Sequence, residues 1–371
     1  MEFETLLKAM NEKKASDLFI TAGRAPSIKV HGRIMPITKE ALDAPQAREM
    51  VYSIMSDVQQ REFDAEKECN FALSAKGLGR FRVSAFTQRN AVGMVLRRIE
   101  SEIPEIDELG LPPVTKELAM AKRGLVILAG ATGTGKSTSL AAMIGHRNRN
   151  STGHIISIED PIEFIHNHEG CIITQREVGI DTESYEVALK NTLRQAPDVI
   201  FIGEVRSRET MEHAIAFAET GHLVLTTLHA NNANQVLDRI VNFFPEDRHS
   251  QVLMDLSLNL RAVVAQQLVR RRDGKGRCAA VEVLINTPLA ADLIRRGEIH
   301  RLKDLMKASA EQGMATFDQA LYHLYKDGVI TYEDALAYAD SANEVRLSIK
   351  LDSSTWGDIE KELEDADLIE D

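Results

Sequence analysis

Gly130-Ala-Thr-Gly-Thr-Gly-Lys136-Ser137 fits the pattern G-x-x-x-x-G-K-[ST] of a phosphate-holding loop. Just upstream, Leu125-Val-Ile-Leu-Ala129 is a short apolar run, right for a strand buried on both faces. Just downstream, Lys136 to Gly145 places Leu140, Met143 and Ile144 along one face of a helix. Strand, loop and helix is the context this motif needs to hold phosphate. Glycines let backbone N–H groups approach the oxygens, and the helix N-terminus adds positive potential there. The predicted contact set is Gly130, Ala131, Thr132, Gly133, Thr134, Gly135, Lys136, Ser137 and Thr138. Lys136 is expected to reach the β- and γ-phosphates of ATP, and the Ser137 hydroxyl to bind Mg²⁺.

Outward from the loop, short apolar strands alternate with helices, which predicts an α/β fold around a parallel sheet. His154–Ile158 runs into Glu159-Asp-Pro-Ile-Glu163, Asp198–Ile202 into Gly203-Glu204, and Leu223–Leu228 into His229. Helices are predicted over 184–195, 209–219 and 232–244. Ligands of open α/β sheets bind outside the carboxyl ends of the strands. Phosphoryl transfer there needs a metal holder, a group that activates water, and positive charge on the moving phosphate. Glu204 suits the first role, holding the Mg²⁺ shell with Ser137 or orienting water. Among Glu159, Asp160 and Glu163, Glu163 is the foremost candidate for activating the attacking water. His229, or His222 at the start of the same strand, could sense the γ-phosphate. The plainer readings are a surface carboxylate and hydrogen-bonded core histidines. Arg194 and Arg206 flank the strand Asp198–Ile202 and are weaker cationic candidates.

From Ser250 to Arg271 the spacing of Leu253, Leu256, Leu260, Val263, Val264 and Leu268 predicts one long amphipathic helix. Arg270–Arg277 reads as a basic hairpin turn before a strand at Val281–Ile285, and 288–345 reads as helical throughout. The five basic residues of that turn lack aromatic partners, so a solvated turn is expected rather than a nucleic-acid site. Residues 1–99 read as a small α+β domain. It has a helix at 3–13, strands at 17–21 and 28–32, a helix over Pro45–Asp64, and strands at 79–86 and 92–99. Arg80, Arg82, Arg97 and Arg98 lie on its last hairpin. They would reach a neighbour's phosphates if subunits formed a ring, or else form a solvated strand face. The expected division is thus 1–99, a linker at 100–114 with Pro104, Pro112 and Pro113, an ATPase core at 115–287, a helical region at 288–350 and an acidic mobile tail at 351–371.

Composition sets limits on function. Of 371 residues 44% are apolar and 27% charged, ordinary for a soluble globular protein. No apolar run nears the ~20 residues a membrane helix needs, and no basic segment suggests a secretory leader. The three cysteines are scattered and form no C-x-x-C, which fits a reducing cytoplasm. His166-x-His168-x-x-Cys171 lacks a fourth ligand and any zinc spacing, so no zinc is expected. Residues 352–371 hold nine acids and one lysine, so most of the net charge of −12 sits there. An acidic chain is a poor prospect for nucleic acid.

Four ordered segments go beyond a generic phosphate loop: Gly-Ala-Thr-Gly-Thr-Gly-Lys-Ser-Thr (130–138), Ile-Glu-Asp-Pro-Ile-Glu-Phe (158–164), Pro-Asp-Val-Ile-Phe-Ile-Gly-Glu-Val-Arg (197–206) and Thr-Gly-His-Leu-Val-Leu-Thr-Thr-Leu-His-Ala (220–230). They resemble the Walker A, Asp, Walker B and His boxes of the secretion/pilus ATPase superfamily. Ala-Ser-Asp-Leu (15–18) and Arg-Phe-Arg-Val (80–83) match as well, so the resemblance spans about 3–345. Within the superfamily the chain resembles the type IV pilus retraction ATPases. That resemblance implies a PAS-like N-terminal domain, a RecA-like ATPase domain with a helical C-terminal part, ATP and Mg²⁺ as ligands, and a homohexamer. It further implies that N-terminal arginines act at the site, that the ring sits at the cytoplasmic face of the inner membrane, and that it works on the pilus platform protein. Retraction motors carry a helical run Ala-Ile-Arg-Asn-Leu-Ile-Arg-Glu. Here Leu289–Arg296 keeps Leu293, Ile294 and Arg295, but Ala291 replaces the first arginine. That change and the acidic tail are the marks of the family's accessory motor, which implies the paralogous retraction ATPase as a partner. Assembly and type II secretion ATPases, an alternative, usually carry a tetracysteine zinc motif that is missing here. A nucleotide-binding coupling adaptor with little hydrolysis is the other alternative, and intact Glu163 and Glu204 speak against it.

Overall fold

The computed structural model describes residues 3–30, 33–99 and 102–352. They fall into two compact units, Met1–Glu102 with Ile162–Ile165, and Ile103–Pro161 with His166–Asp371.

The first unit is built on an antiparallel sheet of β1 (Asp17–Ile20), β2 (Ser27–Val30), β3 (Arg33–Pro36), β4 (Glu68–Ala75), β5 (Gly79–Gln88) and β6 (Ala91–Arg98), in the order β3-β2-β1-β6-β5-β4. Alternation along β5 buries Phe81, Val83 and Ala85 against Leu6 and Met10 of the helix Phe3–Glu12, as the sequence predicts. Arg89 and Asn90 both take positive φ, 47° and 62°, which makes the two-residue turn between β5 and β6. That turn fixes the register, setting Arg82 opposite Arg97 and Phe81 opposite Arg98. Arg80, Arg82 and Arg97 therefore share the face turned away from the Phe81 side, and Arg98 lies on the other face. The helix predicted over 45–64 is two helices, Ala44–Tyr52 and Asp57–Glu66. Ser56 breaks it: its hydroxyl caps the N–H of Gln59 while the Gln59 side chain returns to the Ser56 N–H. Strands β3 and β4 were not anticipated. Strand β4 does alternate, with Cys69 and Phe71 buried between exposed Glu68 and Asn70, and it sits at the sheet edge.

The second unit holds a sheet of β7 (Gly124–Ala129), β8 (Gly153–Glu159), β9 (Cys171–Glu177), β10 (Val199–Ile202), β11 (Leu223–Leu228), β12 (Leu260–Arg270) and β13 (Arg277–Ile285), in the order β13-β12-β7-β11-β10-β8-β9. Every neighbouring pair is parallel except β12 and β13. Helices cover both faces, so β7 is apolar throughout: Leu125, Ile127 and Ala129 enter one core layer, Val126 and Leu128 the other.

The long helix predicted over 250–271 is a correction. The helix His249–Asn259 stops there, and Leu260–Arg270 is strand β12, parallel to β7. The apolar spacing suits either state, and the deciding gain is burial between β7 and β13, where the branched Val263, Val264 and Val269 fit a pleated surface. The basic turn then joins β12 to β13 as a hairpin. Edge strand β9 was also missed. The stretch 103–113, anticipated as part of a linker, puts Ile106 and Leu111 into the second unit's core. Beyond β13 the chain is helical, including Pro288–Arg295, Phe317–Lys326 and Ala342–Leu351. The acidic tail from 353 lies outside the described residues.

Candidate active site

The loop leaves β7 after Ala129 and enters the helix Lys136–Asn150. Gly133 and Gly135 sit at φ +80° and +88°, a backbone that side-chain-bearing residues rarely adopt. Lys136 is 8% exposed, and its ammonium donates to the carbonyls of Gly130 (2.8 Å) and Ala131 (2.9 Å). A phosphate offers that ammonium a charged acceptor, stronger than a peptide carbonyl. Ala131, Thr132 and Gly133 face solvent, and Ser137 and Thr138 are half-buried.

Glu204 stands at the carboxyl end of β10. Its Oε1 meets His229 Nε2 at 3.1 Å and its Oε2 meets Arg206 at 2.9 Å. Arg206 also lies 3.9 Å from Asp160, and its partnership with Glu204 raises its pKa further. The bend that presents Glu204 is pinned from β11: the Thr227 hydroxyl donates to Gly203 O (2.7 Å), and Val205 N–H donates to Thr227 O (3.0 Å). A Cβ on Gly203 would meet Glu159 Cα at 3.1 Å and the Tyr185 hydroxyl at 3.2 Å, so a larger residue here would push β10 and β8 apart by a few tenths of an ångström. The Tyr185 phenol is pushed up by burial and then by the nearby Asp160 and Glu159 carboxylates.

The three carboxylates at the carboxyl end of β8 separate. Glu159 is buried and accepts from Ser157 (2.6 Å) and Gln175 (3.2 Å). Asp160 is solvated beside Arg206. Glu163 is exposed and belongs to Ile162–Ile165, the segment that groups with the first unit. On that unit, Arg97 Nε donates to Asp17 (2.9 Å), a carboxylate 4% exposed.

Other candidates take structural roles. His222 binds Thr220 and Phe217 O at the amino end of β11, a strand's length from His229. Arg194 precedes β10, at its amino end, away from the loop. Burial depresses His166 to about 4, His168 Nδ1 accepts from Ile173 N–H (3.0 Å), and the Cys171 thiol points to Ser151 O (3.5 Å). Among the described residues no cluster of three or more His, Cys, Asp or Glu side chains forms a metal cage. A metal at the loop must draw donors from hydroxyl, carboxylate, phosphate and water.

Sequence reasoning missed Gln266, which reaches the loop from β12. Its Nε2 donates to Thr134 O (2.8 Å), and its Oε1 accepts from the Ser139 hydroxyl (2.7 Å). No motif marks it, and reading the segment as helix hid its place beside β7.

A phosphate loop, a strand-end acid and a strand-end histidine gathered at one edge of a parallel sheet define a P-loop nucleotide-binding α/β protein. The chain belongs to the family of Type II/IV secretion system proteins, which matches residues 3–333. It is 72% identical over 358 residues to the type IV pilus ATPase PilU of Pseudomonas aeruginosa, covering 96% of this chain and 94% of that protein. It is 40% identical to the retraction ATPase PilT of the same organism, over 90% of this chain and 97% of that one. The crystal structure of the pilus retraction motor PilT with bound ADP superposes with a TM-score of 0.87 at 40% identity, covering 93% of this chain and 98% of that chain.

Proposed function

We propose that this chain is an ATP-hydrolysing motor of type IV pilus retraction, working as a homohexamer beside the paralogous retraction ATPase on the inner-membrane platform. The observation that carries the reading is the meeting of the phosphate loop, Glu204 and His229 at the carboxyl ends of β7, β10 and β11. Likeness over almost the whole chain to the type IV pilus ATPase PilU and to the retraction ATPase PilT supports retraction among the superfamily's tasks. The reaction attacks the γ-phosphorus of ATP with water and releases ADP and phosphate. Lys136 neutralises the β- and γ-phosphates, and backbone N–H groups of the loop orient them. Glu163 takes the proton of the attacking water. His229 holds one oxygen of Glu204 and thereby its orientation.

The Ser137 hydroxyl and the Glu204 carboxylate are hard oxygen donors, the type Mg²⁺ prefers, so this donor set fits that ion. Mg²⁺ there would supply charge neutralisation on the phosphates. Arg80, Arg82 and Arg97 supply further positive charge from a neighbouring subunit, coupling turnover to assembly. Among the described residues no helix is long and apolar enough to cross a membrane. The proposed contact with the platform is at the cytoplasmic face. A steady-state ATPase assay on the purified chain tests the reading. Magnesium-dependent phosphate release is expected, and a chain that binds ATP without turnover would instead be a coupling adaptor.

A further inference from the structure

The phosphate loop is gripped from beneath by a side chain outside its motif. We propose that Gln266 is a positioning residue for the nucleotide: a buried clamp that sets the loop in the shape that holds ATP phosphates. This rests on the reading that 130–138 is the phosphate site.

Strand β12 pairs with β7 so that Ala265 lies opposite Ala129, and Gln266 is therefore the first β12 residue beside the loop. The approach is close, since a Cβ on Gly130 would fall 2.6 Å from Gln266 O. The side chain is 4% exposed and spans the loop's exit. Its amide donates to Thr134 O (2.8 Å) and accepts from the Ser139 hydroxyl in the first turn of the following helix (2.7 Å). A carbonyl can only accept, so the NH₂ side must face Thr134 and the orientation of the amide is fixed.

The consequence follows from peptide planarity. In a trans peptide the C=O and the next N–H point in opposite directions. Drawing Thr134 O toward Gln266 turns the Gly135 N–H away from it, into the loop, where a phosphate oxygen accepts. The clamp also explains Gly135 beyond its φ of +88°: a Cβ there would meet Gln266 Nε2 at 2.9 Å. Gln266 thus acts through the backbone and touches no reacting atom.

Glutamine is required because one planar group must donate on one side and accept on the other. A carboxylate at this position accepts from Ser139 but repels Thr134 O. A protonated carboxyl does both jobs, and burial beside a carbonyl raises its pKa. The test measures ADP binding by calorimetry, with thermal melts, on Gln266→Met, Gln266→Glu, Ser139→Ala and Lys136→Ala in the full chain.

Gln266→Met should weaken ADP about 10-fold by lowering the population of the binding-competent loop, with kcat at saturation much less affected. Gln266→Glu should be weak at about pH 8 and return toward wild type near about pH 6, whereas Gln266→Met keeps a constant ratio to wild type. If Gln266→Met does not fold, Ser139→Ala, which removes only the far anchor, carries the same expectation with a smaller effect. ADP affinity within about twofold of wild type in the folded variant, with Lys136→Ala defective, overturns the clamp and leaves the loop reading standing. A pH-independent ratio for Gln266→Glu overturns it too. Wild-type affinity in Lys136→Ala would instead bring down the phosphate-site reading itself.

Discussion

Lys136 and Glu204 divide the electrostatics of the site between them: one cation for the phosphates, and one carboxylate that His229 and Arg206 already hold in place. Lys136→Ala removes the cation on the transferring group, so hydrolysis should vanish and nucleotide binding weaken strongly; phosphate release near the wild-type rate would refute the assignment. Glu163→Gln should lower kcat about 10²–10⁴-fold, the usual range for a lost general base, while ATP stays bound. Glu204→Ala should likewise stop turnover with ATP bound, and a filter-binding assay separates that outcome from loss of affinity. Most of these residues were legible in the sequence because their chemistry needs a fixed local spacing. Gln266, Thr227 and Tyr185 were not, since each acts on a residue far from it in the chain, as Thr227 does on Gly203.

Among the elements, the helix Asp57–Glu66 of the first unit owes its start to a reciprocal cap between Ser56 and Gln59. Ser56→Ala should cost about 1 kcal/mol, read as a lowered denaturation midpoint at unchanged m-value. On β13, Glu282 is 1% exposed and accepts from the first N–H groups of two helices, at Ala233 (2.7 Å) and Phe317 (3.4 Å). Burial lifts it from 4.5 to about 7. The folded chain thus holds a proton that the unfolded chain releases. The associated stability is fully present below about pH 4.5 and is lost as pH rises to about 7, a change of about 3 kcal/mol. Melting curves of Glu282→Gln should therefore fall less than wild type across that window, and parallel curves would rule the titration out. Strand β12 shows where reading by element stops. Its apolar positions satisfy helical spacing, yet the free row of donors and acceptors on β7 takes it as a strand.

At the scale of the molecule, activity is expected to depend on assembly: Arg206 is engaged by Glu204 and Asp160 and Arg194 sits at the amino end of β10, which leaves the hairpin arginines of the first unit as the candidates for the phosphates. A finger supplied in trans is typically worth about 10³–10⁵ in rate. Mixing Lys136→Ala subunits with subunits lacking Arg97 should restore part of the ATPase activity. Removing Arg97 takes the ion-pair partner from the buried Asp17 carboxylate, which keeps the Ser16 hydroxyl (2.8 Å), so the second variant should be Arg97→Ala with Asp17→Asn. An inactive titration with mixed rings verified by mass would end the shared-site proposal. The point of truncation matters too. Asp352 accepts from Tyr322 and Lys326, both at 2.6 Å. A cut after Asp352 should leave melting and hydrolysis unchanged, since the tail has few apolar residues and a strong net negative charge. A cut before it should lower the melting point slightly.

By itself the sequence determined the phosphate loop, the strand-end Glu204 and His229, and the parallel α/β core, because each is written in contiguous residues whose backbone and side-chain chemistry act locally. It likewise determined that β5 and β6 follow one another as a hairpin, while the register that puts Arg98 on the opposite face from Arg80, Arg82 and Arg97 came from the structure. Only the tertiary structure decided that Leu260–Arg270 is a strand, that Glu163 groups with the first unit, and that Gln266 holds the loop. Those outcomes depend on pairing and burial between segments far apart in the chain, and local periodicity carries no record of which partner a segment will meet.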